Sequence, residues 1–317
     1  MALLQVVRAG PESNALEAIL HNKQRALQSQ LSSLPSQQQL ARLTSLPPSA
    51  SPHLLLTALR SSSSTAIVAE VARLSPAESP QSLASRCKNY VQSGADAIAV
   101  RTDEEASPDG LADLIAVCSA VQVPVIQTDW FLHPIQIAES REAGAAALTL
   151  VHAILKNGLW PLQSYALSLG LDSIVELEVN ILVLQWMIQE QHAKHFDFQG
   201  SRSASQAMTD QNYIIVNLKD LEAASRQVIS VYGINLSIKL SLPVPGLRQD
   251  VAKSLLEQLP DGAQSIVGIM SMEEALELKL AGASALYLRH DVWQDSRHGH
   301  ICGEAFLKKL RDILANS

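Results

Sequence analysis

Gly94-Ala-Asp-Ala-Ile-Ala-Val-Arg101 joins the end of a helical stretch to a buried strand, and variants of this junction recur along the chain. The same device appears at Gly144-Ala-Ala-Ala and at Gly282-Ala-Ser-Ala. A glycine just past a helix supplies the left-handed cap, and the small residues after it let the chain turn tightly into the next strand. The repeat predicts helices that alternate with parallel strands.

Eight short apolar runs carry this rhythm through the chain and predict eight strands. They cover residues 66–70, 97–101, 124–128, 146–151, 173–177, 213–217, 265–269 and 285–289. Each run is near-continuous rather than alternating, as expected of parallel strands that are covered on both faces. Helical stretches lie between them, for example at 83–93, 111–121, 134–143 and 272–281. The pattern predicts an α/β fold, a (β/α)8 TIM barrel. An open doubly wound sheet is the alternative, but no G-x-G-x-x-G follows any of the runs.

Residues 1–64 do not follow the strand–helix rhythm and are predicted to form an N-terminal helical extension packed on the barrel of residues 65–317. The extension has helical stretches at 15–31 and 53–60, separated by sequence rich in Ser, Pro and Gln. The polar segment 195–211 predicts a long loop before strand six. Neither region has an apolar core of its own, so we expect no second globular domain.

The composition limits the classes of function. The 317 residues carry a formal charge of −7, so no basic excess exists to neutralise nucleic-acid phosphates or an anionic membrane surface. Three scattered cysteines, Cys87, Cys118 and Cys302, do not make a disulfide framework, which favours a reducing compartment. The sequence shows no targeting or membrane-spanning pattern. We therefore expect a cytoplasmic protein that binds neither nucleic acid nor membranes.

Polar side chains cluster where the predicted strands end, which is where barrels of this kind carry their active sites. The candidates are Glu70, Arg101, Thr128, Glu176, Asn217, Lys219, Gly268 and Arg289. Acids at the ends of strands one and five would face each other across the mouth of the barrel. Taken singly, each acid is as well explained by a solvated position at a loop edge.

Five of these stretches, taken in order, resemble the indole-3-glycerol phosphate synthase family. Ile67-Val-Ala-Glu-Val-Ala-Arg-Leu-Ser-Pro76 resembles the family's first-strand signature Ile-Ala-Glu-x-Lys-x-x-Ser-Pro, and Pro124-Val-Ile-Gln-Thr-Asp-Trp130 resembles Pro-Val-Leu-Arg-Lys-Asp-Phe. Val175-Glu-Leu-Glu178 is similar to Val-Glu-Val-His, Val216-Asn-Leu-Lys-Asp-Leu221 to Ile-Asn-x-Arg-Asp/Asn-Leu, and Ile266-Val-Gly-Ile269 to Glu-Ser-Gly-Ile. The resemblance runs from about residue 15 to the end.

The resemblance implies a lyase of tryptophan biosynthesis, which joins an anthranilate ring to an opened, phosphorylated sugar chain with loss of carbon dioxide and then water. It implies that Glu70 and Glu176 move protons, and that Asn217 and Ser75 hold the substrate. Lys219 would stand for a family arginine, and Gly268 would offer its N–H to phosphate. The implied partner is a small phosphorylated aromatic substrate or analogue, with no cofactor and no metal.

The departures from the family pattern bear on activity. The strand-one lysine is Ala72, and the strand-three lysine, implied to be a general acid, is Thr128. A general acid contributes roughly 10²–10⁴-fold, and threonine has no useful pKa to replace it. Among the implied phosphate contacts, a serine has become Val267, and a Gly-Ser/Thr pair has become Arg289-His290.

Two cations at strand ends offer a partial replacement. Arg101 would project into the mouth, and Arg289 could bind phosphate through its side chain, but an arginine does not donate protons at ordinary pH. Arg73 would point to the opposite face of its strand from Ala72. His290, His298, His300 and Cys302 do not match zinc-ligand spacing, and we expect no metal there.

Two functions stay open at this stage. The first is an indole-3-glycerol phosphate synthase with impaired activity, and whether this copy acts as an enzyme at all is not decided by the sequence. The second is a catalytically inactive paralogue repurposed as a binding or assembly module, which would have a protein partner.

Overall fold

Eight parallel strands close into one barrel in sequential order, with β8 hydrogen-bonded to β1. This computed structural model describes residues 14–62, 64–177, 229–234, 236, 247–293 and 303–315. The strands are β1 Ala66–Val71, β2 Ala97–Arg101, β3 Val125–Thr128, β4 Ala147–Val151, β5 Asp172–Glu176, β6 Val231–Ile234, β7 Gln264–Ile269 and β8 Ala285–Leu288. The closed parallel sheet confirms the predicted (β/α)8 TIM barrel and excludes the open doubly wound alternative.

Helices precede the barrel and separate its strands. The described helices are α1 Asn14–Ser32, α2 Ser36–Ser45, α3 Leu54–Ser61, α4 Pro80–Gln92, α5 Gly110–Ala120, α6 Pro134–Ala143, α7 His152–Leu155, α8 Leu159–Ser168, α9 Leu247–Leu256, α10 Met272–Leu280, α11 His290–Trp293 and α12 Gly303–Ala315. Gly144 ends α6 with a φ of 91°, and its N–H donates to the carbonyl of Arg141. Within the described residues, no helix combines the length and apolar character needed to cross a membrane.

The barrel buries two apolar layers, one inside the sheet and one between the sheet and the helices. Small and β-branched side chains fill the inside, among them Val68, Ala99 and Ile126, and the bulky Tyr287 stands with them. The alternate positions, such as Ile67 and Val100, pack outward against the helices. Because successive side chains of a strand point to opposite faces, the last inward positions form the floor of the barrel mouth.

The N-terminal helices pack against both apolar layers of the barrel. Leu55 and Leu59 of α3 join the inner apolar layer, and the Asp172 carboxylate at the start of β5 accepts hydrogen bonds from His53 Nδ1 and the Leu56 N–H, both at 2.9 Å. Leucines of α1 such as Leu20 join the outer layer. The extension thus contributes to both cores, while a domain boundary at residues 64 and 65 stays a prediction.

Strand six lies elsewhere in the chain than the sequence predicts. Val231–Ile234 pairs with β5 on one side and with β7 on the other, so it forms the sixth strand of the barrel in place of the predicted run at 213–217. Both segments are short apolar runs, and only pairing with the neighbouring strands distinguishes them. Residues 213–217 and the predicted loop at 195–211 lie outside the described residues. The other seven strands lie within a few residues of their predicted positions.

Candidate functional site

A cleft opens at the C-terminal ends of the strands, as the barrel fold leads one to expect. The space between its atoms amounts to about 550 Å³, part of it open to solvent. Seven of the thirteen described lining residues are charged: Glu70, Asp103, Asp129, Glu176 and Asp291 are acidic, and Arg101 and Arg289 are basic. The structure therefore brings five of the predicted site residues to one cleft: Glu70, Arg101, Thr128, Glu176 and Arg289.

Glu70, from the end of β1, stands at the centre of a hydrogen-bond network. Its carboxylate is 5% exposed. Oε1 accepts a hydrogen bond from the Tyr287 hydroxyl at 2.8 Å, while Oε2 accepts from the His290 backbone N–H and faces His290 Nδ1, both at 3.0 Å. The indole N–H of Trp293 donates to the Glu70 carbonyl at 3.0 Å. These donors stabilise a buried carboxylate that would otherwise be costly to desolvate.

Tyr287 links Glu70 to the position of the implied strand-three lysine. Its hydroxyl lies 3.3 Å from Thr128 Oγ1 as well as 2.8 Å from Glu70. Complete burial, and after it the charge of Glu70, raises the pKa of Tyr287 well above its ordinary value of 10. The phenol therefore stays a hydrogen-bond donor at neutral pH. The sequence did not predict this hydrogen bonding, because Tyr287 lies between two leucines in an apolar run.

We expect Tyr287→Phe to lower the free energy of unfolding by about 1.5–3 kcal/mol, since it removes a hydrogen bond to a buried charged group. Urea denaturation at neutral pH measures the change. Tyr165→Phe is the matched control, because the Tyr165 hydroxyl donates at 2.9 Å to the uncharged Leu43 carbonyl at a half-buried site. We expect about 1 kcal/mol for the control. Equal losses in the two variants would contradict a stabilised Glu70 carboxylate.

Each cleft arginine is paired with an aspartate two residues further along the chain. Arg101 forms a two-pronged pair with Asp103, with N–O distances of 2.9 to 3.0 Å. Arg289, 3% exposed, lies 3.2 Å from Asp291. Neither aspartate was predicted from the sequence, although the repeated Arg-x-Asp spacing at two strand ends is a signal that could have found them. The paired aspartates thus hold both arginines in place and largely balance their charge.

Asp129 connects the cleft to the N-terminal helix. Its carboxylate contacts Lys23 Nζ of α1 at 2.8 Å and accepts a hydrogen bond from the Thr102 hydroxyl at 3.0 Å. Lys23 was not a candidate on sequence, because an isolated lysine on an amphipathic helix looks like a solvated residue. The contact places an ammonium group beside the rim, on the far side of Asp129 from the cleft lining.

The remaining sequence candidates fall into three groups. Ser75 is exposed on the segment after β1 and is not part of the cleft lining. Val267 and Gly268 are buried in β7, where Val267 packs in the outer layer. Asn217 and Lys219 lie outside the described residues, and their implied roles depended on a sixth strand that the barrel forms from other residues.

The two residues that follow β1, Ala72 and Arg73, bring no charge into the cleft. Ala72 is 4% exposed and offers only a methyl group where the resemblance implies lysine. Arg73 turns away from the cleft and pairs with Asp113 of α5 through Nε and Nη2, at 2.8 to 3.0 Å. Arg73 is therefore a structural residue.

One group of side chains has the composition of a metal site. Glu70, His290 and Asp291 present ligand atoms within 4.8 Å of one another. Hydrogen bonds between His290 and Glu70 already account for the closest contacts in the group, and two arginines line the same cleft. A metal ion would have to displace the hydrogen bonds that Glu70 accepts from Tyr287 and the His290 N–H, so we assign no metal to this group.

The fold and the cleft define a class of protein, a (β/α)8 barrel with a cleft lined by charged residues at the C-terminal ends of its strands. The sequence profile described as indole-3-glycerol phosphate synthase matches residues 16–182, more than half of the chain. The chain therefore belongs to the indole-3-glycerol phosphate synthase family. This membership confirms the resemblance to the family, and the matched range includes the motifs at 67–76, 124–130 and 175–178.

Several bacterial relatives carry the name indole-3-glycerol phosphate synthase. The protein of Oceanobacillus iheyensis is 29% identical over 188 residues, which cover 55% of this chain and 72% of that protein. The protein of Exiguobacterium sibiricum is 36% identical over 116 residues, or 35% of this chain and 45% of that protein. That of Leptospira interrogans is 38% identical over 94 residues, or 29% and 37%. The similarity thus covers less than half the length of the last two relatives.

Proposed function

We propose that the chain is an impaired indole-3-glycerol phosphate synthase, which binds the anthranilate-linked deoxyribulose phosphate and closes its ring slowly. One observation carries the proposal: no lysine lines the cleft among the described residues, and Thr128 stands where the family resemblance implies the proton-donating lysine. Loss of a general acid lowers a rate by about 10²–10⁴-fold.

Ligand binding is supported by the charges that remain in the cleft. A phosphorylated anthranilate adduct is an anion with an aromatic ring. Arg101 and Arg289 offer guanidinium groups, which suit phosphate and carboxylate oxygens, and Trp130 offers an aromatic face in the cleft lining. Glu70 and Glu176 supply buried carboxylates at opposite sides of the same mouth. The site thus keeps groups for binding while it lacks the implied ammonium groups.

The test is a direct assay of the full chain with the anthranilate-linked deoxyribulose phosphate, beside an authentic synthase. We expect kcat to be lower than that of the authentic enzyme by about 10²-fold or more, as the loss of a general acid predicts. An analogue in which the sugar carbonyl is reduced to an alcohol measures binding by calorimetry. Turnover at the rate of the authentic enzyme would overturn the proposal.

The alternative is a non-catalytic barrel repurposed for binding or assembly. The observation that favours it is that Ala72, Thr128, Val267 and Arg289 together stand in place of the residues that the family resemblance implies, while the barrel packing is intact. A chain that neither turns over the substrate nor binds the reduced analogue would support this alternative against the impaired synthase.

A further inference from the structure

His290 lies where it can exchange protons with a ligand in the cleft. It is the first residue of α11, directly after β8, and its side chain is 27% exposed and lines the cleft. Its backbone N–H and its Nδ1 both lie 3.0 Å from Glu70 Oε2. An ionised carboxylate only accepts hydrogen bonds, so this contact assigns the proton to Nδ1.

The second ring nitrogen makes a longer contact. Nε2 lies 3.5 Å from Nη1 of Arg101, which is longer than an ordinary hydrogen bond between nitrogen atoms. Arg101 itself is held in a two-pronged pair by Asp103. His290 lines the cleft, and a buried carboxylate fixes its Nδ1–H. A carboxylate that holds Nδ1–H in this way is the arrangement by which histidine acts through Nε2 as a general base and then as an acid.

Several other groups in the described cleft are poorly suited to donate a proton to the ligand. Tyr287 is wholly buried, and desolvation raises its pKa well above 10, so it holds its proton. The guanidinium groups of Arg101 and Arg289 do not release protons at ordinary pH. The Glu70 carboxylate already accepts from Tyr287 and twice from His290.

We propose that His290 is the proton-transfer residue of this cleft, with Glu70 as the residue that positions it, in place of the lysine that Thr128 replaces. The inference rests on the proposed function, because it assigns a step in the same ring closure.

The protonated imidazole gives its Nε2 proton to the sugar carbonyl oxygen as the ring carbon that bears the carboxylate bonds to the carbonyl carbon. Carbon dioxide then leaves, and the electron pair of its broken bond restores the ring. Hydroxide departs and takes a solvent proton to become water, while neutral Nε2 removes a proton from the adjacent sugar carbon. The imidazole returns to its starting form, and one solvent proton is consumed.

The test uses His290→Asn in the full chain, because asparagine keeps an N–H that can face Glu70 but has no nitrogen in the place of Nε2. We expect kcat for the anthranilate-linked deoxyribulose phosphate to fall by about 10²-fold or more. The Kd of the reduced analogue should change by less than about threefold, since only an interaction of the reacting state is lost. Imidazole added to His290→Ala should restore part of the rate. His21→Asn, at an exposed position of α1, is the matched control and should leave kcat unchanged.

The outcomes separate this inference from the proposed function. An unchanged kcat in His290→Asn overturns the role of His290 and leaves the impaired synthase standing. Wild-type turnover as fast as that of the authentic enzyme overturns the impairment, and the His290 variants still decide the inference. Binding of the reduced analogue without wild-type turnover overturns the inference, because no proton is then transferred. A rate loss in His290→Asn that comes with an equal loss of analogue binding also overturns it.

Discussion

Thr128→Lys is expected to raise kcat for ring closure by about 10²-fold, the lower end of what a general acid contributes. Thr128 ends β3 and lines the cleft, so a lysine there projects into the site. The Thr128 hydroxyl lies 3.3 Å from that of Tyr287, which lies 2.8 Å from Glu70. A flexible four-carbon stem brings an ammonium group to these partners. The gain stays at the lower end because His290 already supplies part of the proton transfer in our proposal.

Two variants at the same position separate proton donation from size and charge. Thr128→Met matches the length of lysine without charge, and Thr128→Arg adds a charge that does not release its proton at ordinary pH. Neither should raise kcat, although the arginine variant should bind the reduced analogue more tightly. A methionine variant as active as the lysine variant would refute the chemical explanation. Ala72→Lys is a less clean test, since Ala72 is 4% exposed and a lysine there must displace its neighbours.

Asp113→Ala should lower the free energy of unfolding by about 3 kcal/mol, because it leaves Arg73 without its partner at a largely buried site. Asp113 is fully buried in α5 and accepts hydrogen bonds from Arg73 and from the Ser107 hydroxyl. This value is at the lower end of the free-energy losses expected when a buried ion pair is broken. We choose the lower end because the Arg73 side chain is 9% exposed and reaches water at its edge. The pair fastens the segment after β1 to α5. Urea denaturation followed by circular dichroism measures the loss.

A surface pair of similar length is the control for this change. Lys253 Nζ and Glu277 Oε2 lie 2.7 Å apart, but both side chains are at least 36% exposed. Water and salt screen such a pair, so Glu277→Ala should shift the unfolding midpoint little. Comparable losses in Asp113→Ala and Glu277→Ala would show that burial does not govern the strength of these pairs.

Much of the candidate site was predictable because strand ends of a barrel share one mouth. Glu70, Glu176, Arg101 and Arg289 were expected there from their positions alone, and all four line the cleft. His290 entered the sequence analysis as a neighbour of Arg289 with no link to Glu70. The residues are 220 positions apart, and no local pattern reports a contact over such a separation.

Local patterns sufficed for the fold class, since apolar periodicity and glycine caps report burial and chain reversal within a few residues. They failed at strand six, where 213–217 and Val231–Ile234 are both short apolar runs and only pairing with β5 and β7 selects one. Closure of the barrel decided that choice. It also decided the partners of Glu70, because pairing of β1 with β8 brings Tyr287 and His290 against its carboxylate. Contacts between residues far apart in the chain form only when the sheet closes, so local sequence patterns do not report which hydrogen bonds they make.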